Sequence, residues 1–268
     1  MPEMQTLLTG DRITKRYGAM AAVKELTFEV RRGEVLGIGG PNGAGKTTLF
    51  DMISGVSRPT EGSVRFEGRD LAGLSPSAIC HLGIARTFQL NAVFDSMTVR
   101  QNLMCSAYFG TRNRVVPSLR FDAAAREQTD EALEICGLAD QADTPATSLS
   151  ILNRKLLMLA SAIATKPKLL LLDEPVGGLN AKEIDQCAVV FRKLRDSHAM
   201  TIVVIEHVMS FMTAIADRVL ILHHGSKLYE GTAAGLAQDR DVIEVYLGAS
   251  GAEAVRAAQQ QGADHAAS

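Results

Sequence analysis

The spacing of hydrophobic and polar residues changes twice along the chain. Residues 11–75 favour strands and turns, and residues 26–30 alternate between apolar and polar side chains. From about residue 76 to 165 the apolar positions recur at helical spacing, most clearly over 122–136. Residues 166–230 return to alternating strands and helices, which is typical of a parallel sheet. The pattern predicts an α/β core that is interrupted by a helical insertion.

Three short apolar runs predict strands that are buried inside this core. They are Val35–Gly39, residues 169–172 and Thr201–Ile205. Open α/β sheets bind their ligands outside the carboxyl ends of the strands. The segments that follow these runs are therefore the first candidates for a functional site.

A phosphate-binding loop of the form G-x-x-x-x-G-K-[ST] follows the first run. It consists of Gly40, Pro41, Asn42, Gly43, Ala44, Gly45, Lys46, Thr47 and Thr48. Its glycines allow backbone N–H groups to surround a phosphate. Lys46 offers a positive charge to the β- and γ-phosphates, and the Thr47 hydroxyl can ligate Mg²⁺. A helix predicted from Lys46 to Ile53 aims its N-terminus at the anion, so the loop predicts a bound nucleoside triphosphate.

Polar residues after the other strands can complete such a site. Asp173 can hold Mg²⁺ through water, and Glu174 can orient a water for in-line attack on the γ-phosphate. His207 can donate to the γ-phosphate and accept from that water, and Gln89 offers a carbonyl to Mg²⁺. Two acids after a strand also serve as helix caps, and a lone histidine is commonly structural. Their positions behind a phosphate loop favour the catalytic interpretation.

Composition narrows the class of protein. The 268 residues include 28 basic and 30 acidic side chains, so no overall charge favours nucleic acid. The four cysteines lack metal-ligand spacing, and reduced thiols in a cytosolic protein are the simplest interpretation. No signal peptide is evident, and charged residues interrupt the apolar stretch 201–222. We expect the protein to act from outside the bilayer if it works at a membrane.

These residues together resemble an ATP-binding cassette (ABC) ATPase over about residues 8–248. Tyr17 is similar to the aromatic residue that stacks on adenine in that family, and Gln89 matches its Q-loop. Asp173 and Glu174 match the Walker B pair, and His207 matches the switch histidine. The resemblance implies a P-loop NTPase (RecA-like) core with a mixed sheet and an inserted helical subdomain. It also implies ATP and Mg²⁺ as cofactors.

The resemblance implies the following boundaries. The core covers about 8–89 and 166–230, the helical subdomain about 90–165, a C-terminal helix about 232–248, and a flexible tail 249–268. The stretch 110–120 carries three arginines and is interpreted as a solvated basic loop.

Four segments resemble more narrowly the ATPase subunit of high-affinity branched-chain amino-acid importers. They are residues 83–89, 174–180, 207–209 and 242–248. That family implies an ATP-driven import motor at the cytoplasmic face of the inner membrane. Its implied partners are a second ABC ATPase subunit, identical or different, two transmembrane permease subunits and, indirectly, a periplasmic or surface substrate-binding protein. Cassettes for urea uptake or lipopolysaccharide export are the nearest alternatives.

Other classes fit the sequence less well. Soluble cassettes that act on nucleic acid usually carry two cassettes or a long coiled coil, whereas this chain has one phosphate loop and no sustained heptads. We therefore expect no nucleic-acid partner. A GTPase or small-molecule kinase would leave Gln89, Ser150 and His207 unexplained, and no Asn-Lys-x-Asp segment is present.

One segment departs from the family pattern. Members normally carry Leu-Ser-x-Gly-Gln before a helix, and this signature contacts the ATP of the partner subunit. The chain has Ser150 as a cap and hydroxyl donor, but Leu152 in place of the expected glycine. A side chain at 152 would hinder approach to phosphate and make the partner's site slow. Alternatively, Ser150 and the helix dipole suffice. The sequence leaves both interpretations open.

Overall fold

The computed structural model describes residues 5–88, 93–111, 121–236, 238–239 and 241–245. Gln89, nine residues of the predicted basic loop (112–120) and the predicted tail lie outside these residues. The expectations for them stay predictions.

Two β-sheets form the framework of the described part of the chain. The strands are β1 (Thr6–Tyr17), β2 (Met20–Arg31), β3 (Val35–Gly39), β4 (Glu61–Phe66), β5 (Arg69–Asp70), β6 (Ile84–Arg86), β7 (Leu169–Asp173), β8 (Thr201–Ile205), β9 (Arg218–His223) and β10 (Ser226–Gly231). One sheet is antiparallel with the order β2-β1-β4-β5, and the other has the order β10-β9-β3-β8-β7-β6. In the second sheet β10 pairs antiparallel with β9, and the other pairs are parallel. The predicted mixed sheet is confirmed.

Strand β8 lies between β3 and β7, and this arrangement positions the site. Val203 of β8 is opposite Leu36 of β3 on one side and Leu171 of β7 on the other. Every residue of these three strands is buried, as their apolar sequences predict. Because the strands are parallel, the loops that follow them leave the sheet at the same edge.

Eight α-helices have both ends defined within the described residues. They are α1 (Lys46–Ile53), α2 (Pro76–Leu82), α3 (Val99–Gly110), α4 (Ala123–Cys136), α5 (Ile151–Ile163), α6 (Ala181–His198), α7 (Met209–Ile215) and α8 (Ala233–Leu236). Asp122 caps α4 by accepting from the Ala125 N–H, and Gly137 ends it with φ 67°. Helices α3, α4 and α5 contact one another and form the predicted helical insertion. The exact domain boundaries stay predictions.

The six-stranded sheet separates two hydrophobic cores. Leu170 and Leu172 of β7 point into a core shared with the helical insertion. Leu169 and Leu171 point into the opposite core, which contains α1 and the antiparallel sheet. The four consecutive leucines thus alternate between two buried faces, which explains why this run has no polar position.

The described part of the C-terminal helix predicted over about 232–248 is helical in two separate pieces. Helix α8 ends at Leu236, a turn includes Gln238, and helical structure resumes over 241–245. The Asp239 carboxylate accepts from the Val242 N–H at 3.0 Å, as an N-cap does. A cap in the middle of the stretch begins a new helix. None of the described helices has the length and apolar character needed to span a membrane.

Candidate nucleotide site

The phosphate-binding loop connects β3 to α1, as its sequence predicts. Its glycines at 40, 43 and 45 all have positive φ, of 135°, 78° and 104°. A Cβ atom at Gly40 would lie 2.1 Å from the carbonyl oxygen of Leu222, and one at Gly45 would lie 2.4 Å from that of Ala22. These two glycines are therefore required by close backbone packing as well as by their conformation.

Lys46 is buried at the first position of α1. Its Nζ donates to the carbonyl oxygens of Gly40 at 2.7 Å and Pro41 at 3.0 Å. Burial lowers the pKa of the Lys46 ammonium, and the charges of Glu174 and Asp173 oppose that shift. Lys46 is therefore within electrostatic reach of the two carboxylates at the end of β7.

Asp173 ends β7 and forms an ion pair that the sequence did not indicate. Its Oδ2 lies 3.2 Å from a terminal nitrogen of Arg86, whose other terminal nitrogen lies 2.6 Å from Asp51 Oδ1. Burial raises the pKa of Asp173, and Arg86 opposes that rise. The guanidinium also lies over the ring of Phe88, with Cζ 4.9 Å from the ring centroid. Arg86 is therefore an internal counter-ion of the predicted Walker B carboxylate.

Glu174 and His207 meet where the loops after β7 and β8 come together. His207 Nε2 lies 3.1 Å from Glu174 Oε1, within hydrogen-bond distance. Glu174 has φ 50°, in the left-handed region, and its N–H donates to the Ile205 carbonyl at 2.9 Å. The structure thus brings together two residues that the sequence assigned separately to the γ-phosphate.

Glu206 is a second residue that sequence reasoning missed. Its side chain is buried, and Oε1 accepts from the Val176 N–H at 2.9 Å. Oε2 accepts from the N–H groups of His207 at 2.9 Å and Val208 at 3.3 Å. The available signal was a glutamate that lies between a buried strand and a candidate histidine. Its carboxylate joins the loop after β7 to the loop after β8.

Two further predicted ligands of the nucleotide, Tyr17 and Thr47, are exposed to solvent. Tyr17 is exposed at the end of β1, with Lys15 Nζ 5.1 Å from its ring centroid. Thr47 is exposed in the first turn of α1. Hydroxyl and carboxylate oxygens such as those of Thr47 and Asp173 suit Mg²⁺, which commonly shares its shell with substrate phosphates. No group of three or more His, Cys, Asp or Glu that could hold a metal alone occurs among the described residues.

The signature segment begins α5. Ser150 caps the helix by accepting from the Asn153 N–H at 3.2 Å, as predicted. Leu152 is partly buried and packs against the core of the helical insertion. Ile151, by contrast, is 61% exposed. The side chain at 152 is thus turned partly inward, and Ile151 presents the larger apolar surface at the helix N-terminus.

Known proteins with similar sequences carry the same cassette. A family model described as "ABC transporter" matches residues 23–177. The chain is 35% identical over 251 residues to the high-affinity branched-chain amino acid transport ATP-binding protein LivG of Salmonella typhimurium, covering 91% of this chain and 98% of LivG. It is 34% identical over 243 residues to the corresponding protein BraF of Pseudomonas aeruginosa, covering 88% of this chain and 95% of BraF.

Solved structures agree with these relatives. An ATP-binding cassette of an ABC transporter in its ADP conformation has a TM-score of 0.82 and 28% identity, covering 91% of this chain and 99% of that one. A nucleotide-free cassette from an ABC transporter has a TM-score of 0.80 and 27% identity, covering 90% and 99%. The predicted fold class and family are confirmed. The chain belongs to the ABC transporter family of ATP-binding cassettes.

Proposed function

We propose that the chain is the ATP-hydrolysing subunit of an importer for branched-chain amino acids. One observation carries the catalytic part: the phosphate loop, Asp173 and the Glu174–His207 pair share one edge of the sheet. The cargo is supported by relatives named as branched-chain amino acid transport ATP-binding proteins, which align with nearly the whole chain. The cassette does not contact the cargo, so no residue of the nucleotide site recognises the transported amino acid.

The binding step uses residues of the phosphate loop. Backbone N–H groups of the loop and the α1 N-terminus surround the β- and γ-phosphates, and Tyr17 stacks on the adenine. Lys46 exchanges its bonds to the Gly40 and Pro41 carbonyls for bonds to phosphate oxygens. Thr47, Asp173 through water and Gln89 are the proposed Mg²⁺ ligands. A magnesium ion held by these residues would neutralise charge on the β- and γ-phosphates.

Hydrolysis uses the two residues that meet after β7 and β8. Glu174 accepts a hydrogen bond from a water and aligns its oxygen for in-line attack on the γ-phosphorus. The new P–O bond forms as the bond to the β–γ bridging oxygen breaks, and a proton of the water passes to the Glu174 carboxylate, giving ADP and phosphate. His207 exchanges its Nε2 contact with Glu174 for a hydrogen bond that it donates to the γ-phosphate, which frees the Glu174 carboxylate for the attacking water.

The proposed assembly requires other subunits. A second ABC ATPase subunit, identical or different, supplies the signature segment that completes the Lys46 site. Two transmembrane permease subunits dock near Gln89 and the helical insertion at the cytoplasmic face of the inner membrane. A periplasmic or surface substrate-binding protein delivers the cargo. These assignments are supported by family membership.

The test is transport by the reconstituted complex. The chain is co-purified with its membrane and ATPase partners and placed in proteoliposomes with the substrate-binding protein. We expect leucine, isoleucine or valine to stimulate ATP hydrolysis several-fold and to accumulate inside. Stimulation of ATP hydrolysis by urea, or ATP-driven release of lipopolysaccharide, would contradict the proposed cargo. Either result would still support an ATP-driven transport function. Stimulation by nucleic acid without membrane subunits would contradict the transport function.

Replacing Leu152 by glycine is expected to raise the ATPase rate of the complex about fivefold. A glycine at 152 would remove the Cβ atom that hinders close approach of the α5 backbone to the partner's γ-phosphate, a contact worth roughly 1 kcal/mol. Leu152→Ala is the matched control, because it removes the bulk of the side chain but keeps the Cβ atom. It should give a smaller increase. An unchanged rate in Leu152→Gly would show that Ser150 and the helix dipole already suffice.

A further inference from the structure

Lys155 connects the signature helix to the catalytic glutamate. It lies on α5, five residues after Ser150, and its Nζ donates to the main-chain carbonyl of Glu174 at 3.1 Å. Lys155 is partly buried, and it lines a cleft together with Phe88, Asp173, Glu174 and other residues. The side chain that touches Glu174 from the helical insertion is therefore a cation held away from bulk water.

The backbone of Glu174 needs such support. Its φ of 50° is unfavourable for a residue with a Cβ atom. Bonds on both sides hold this conformation: the N–H donates to Ile205, and the carbonyl accepts from Lys155 and from the Gly177 N–H at 3.2 Å. Lys155 is the side-chain donor among these bonds. It stabilises the conformation from which the Glu174 carboxylate reaches His207.

The buried carboxylate of Glu206 favours the charged form of Lys155. Burial lowers the pKa of the Lys155 ammonium, and the charge of Glu206 is the largest influence opposing that shift. Glu206 in turn accepts from N–H groups on the loops after β7 and β8. Lys155 and Glu206 thus both hold the loop after β7, Lys155 through the Glu174 carbonyl and Glu206 through the Val176 N–H.

We infer that Lys155 is a positioning residue for hydrolysis, which holds Glu174 in place from the signature helix. A single helix then serves both sites of a dimer: its N-terminus faces the partner's ATP, and Lys155 supports the chain's own Glu174. This inference rests on the proposed function. A displacement of α5 in response to the partner's nucleotide would be transmitted to Glu174 through one hydrogen bond.

Lys155→Met in the reconstituted complex tests the inference. We expect kcat for ATP hydrolysis to fall at least tenfold, because a misplaced catalytic group slows the chemical step. KM and the affinity for a fluorescent ATP analogue should not change, because Lys155 donates to the Glu174 carbonyl and the described lining of its cleft contains no residue of the phosphate loop. Lys155→Arg, which keeps a cationic donor, should recover most of the rate. Lys193→Met is the matched control, because Lys193 donates to the Glu134 carbonyl at 3.2 Å, far along the chain from the site.

Hydrogen exchange on the full chain gives a readout independent of hydrolysis. The amides of Glu174, Val176 and Gly177 should exchange faster in Lys155→Met than in wild type, and Lys193→Met should leave them unchanged. Lys155→Gln replaces Lys155→Met if the latter does not fold. A wild-type kcat in either variant, or a loss of rate that Lys155→Arg does not recover, would overturn the inference. Wild-type protein that neither binds nor hydrolyses ATP would instead refute the proposed function, and the inference with it.

Discussion

Glu174→Gln is expected to keep ATP binding while lowering ATP turnover about 10²- to 10⁴-fold, the usual contribution of a positioned proton acceptor. The amide has nearly the shape of the carboxylate, so the phosphate loop and Lys46 keep their geometry. The change removes the negative charge that polarises the attacking water, and it leaves His207 Nε2 opposite a neutral group instead of a carboxylate at 3.1 Å. Phosphate release measures turnover, and a fluorescent ATP analogue measures binding.

Two control variants make this result interpretable. Glu127→Gln removes an exposed carboxylate on α4 and should leave both measurements unchanged. His207→Ala should reduce turnover without removing ATP binding, because it takes away the partner of Glu174 but no part of the phosphate loop. Turnover of Glu174→Gln equal to that of wild type would refute the role assigned to this carboxylate. A parallel loss of binding would show that Glu174 contributes mainly to the nucleotide pocket.

The parts of the site that sequence reasoning predicted are those encoded by neighbouring residues. A buried run followed by a glycine loop predicts β3, the loop and α1 together, because strand, loop and helix are adjacent in sequence. The acidic pair after β7 and the histidine after β8 are recognisable for the same reason. Their contact then follows from the parallel pairing of β7 with β8. Local sequence patterns, together with the parallel pairing of neighbouring strands, are therefore sufficient to predict these parts of the site.

The parts that it missed depend on residues far apart in sequence. Arg86 meets Asp173 across 87 positions, and Glu206 reaches Val176 across 30. The sequence around a single arginine or glutamate does not indicate which distant residue it contacts. The hydrophobic pattern predicts only that the neighbouring strand is buried. The inward turn of Leu152 depends on how α5 packs against its neighbours. Tertiary packing decides each of these features.

Arg86→Met is expected to lower the free energy of unfolding by about 3–5 kcal/mol, the usual cost of removing one partner of a buried ion pair. The side chains of Arg86 and Asp173 are each only 6% exposed, so water cannot replace the lost partner. Methionine fills much of the volume between the rings of Phe50 and Phe88 but carries no charge. Asp173 and Asp51 then face each other without the cation between them. Urea denaturation followed by circular dichroism measures the loss.

A more exposed ion pair serves as the control, because it shows how much stability is lost when a cation is removed without burial. Arg100→Met removes a cation that is 38% exposed and lies 2.5 Å from Asp130, and it should cost less than about 1 kcal/mol. Adding Asp173→Asn to Arg86→Met should recover part of the stability, because the unpaired buried charge is then removed as well. If Arg86→Met costs no more than Arg100→Met, Arg86 does not act as the counter-ion of Asp173. Because Asp173 is also the proposed Mg²⁺ ligand, a confirmed loss would mean that the same carboxylate stabilises the fold through Arg86 and serves the nucleotide through the metal.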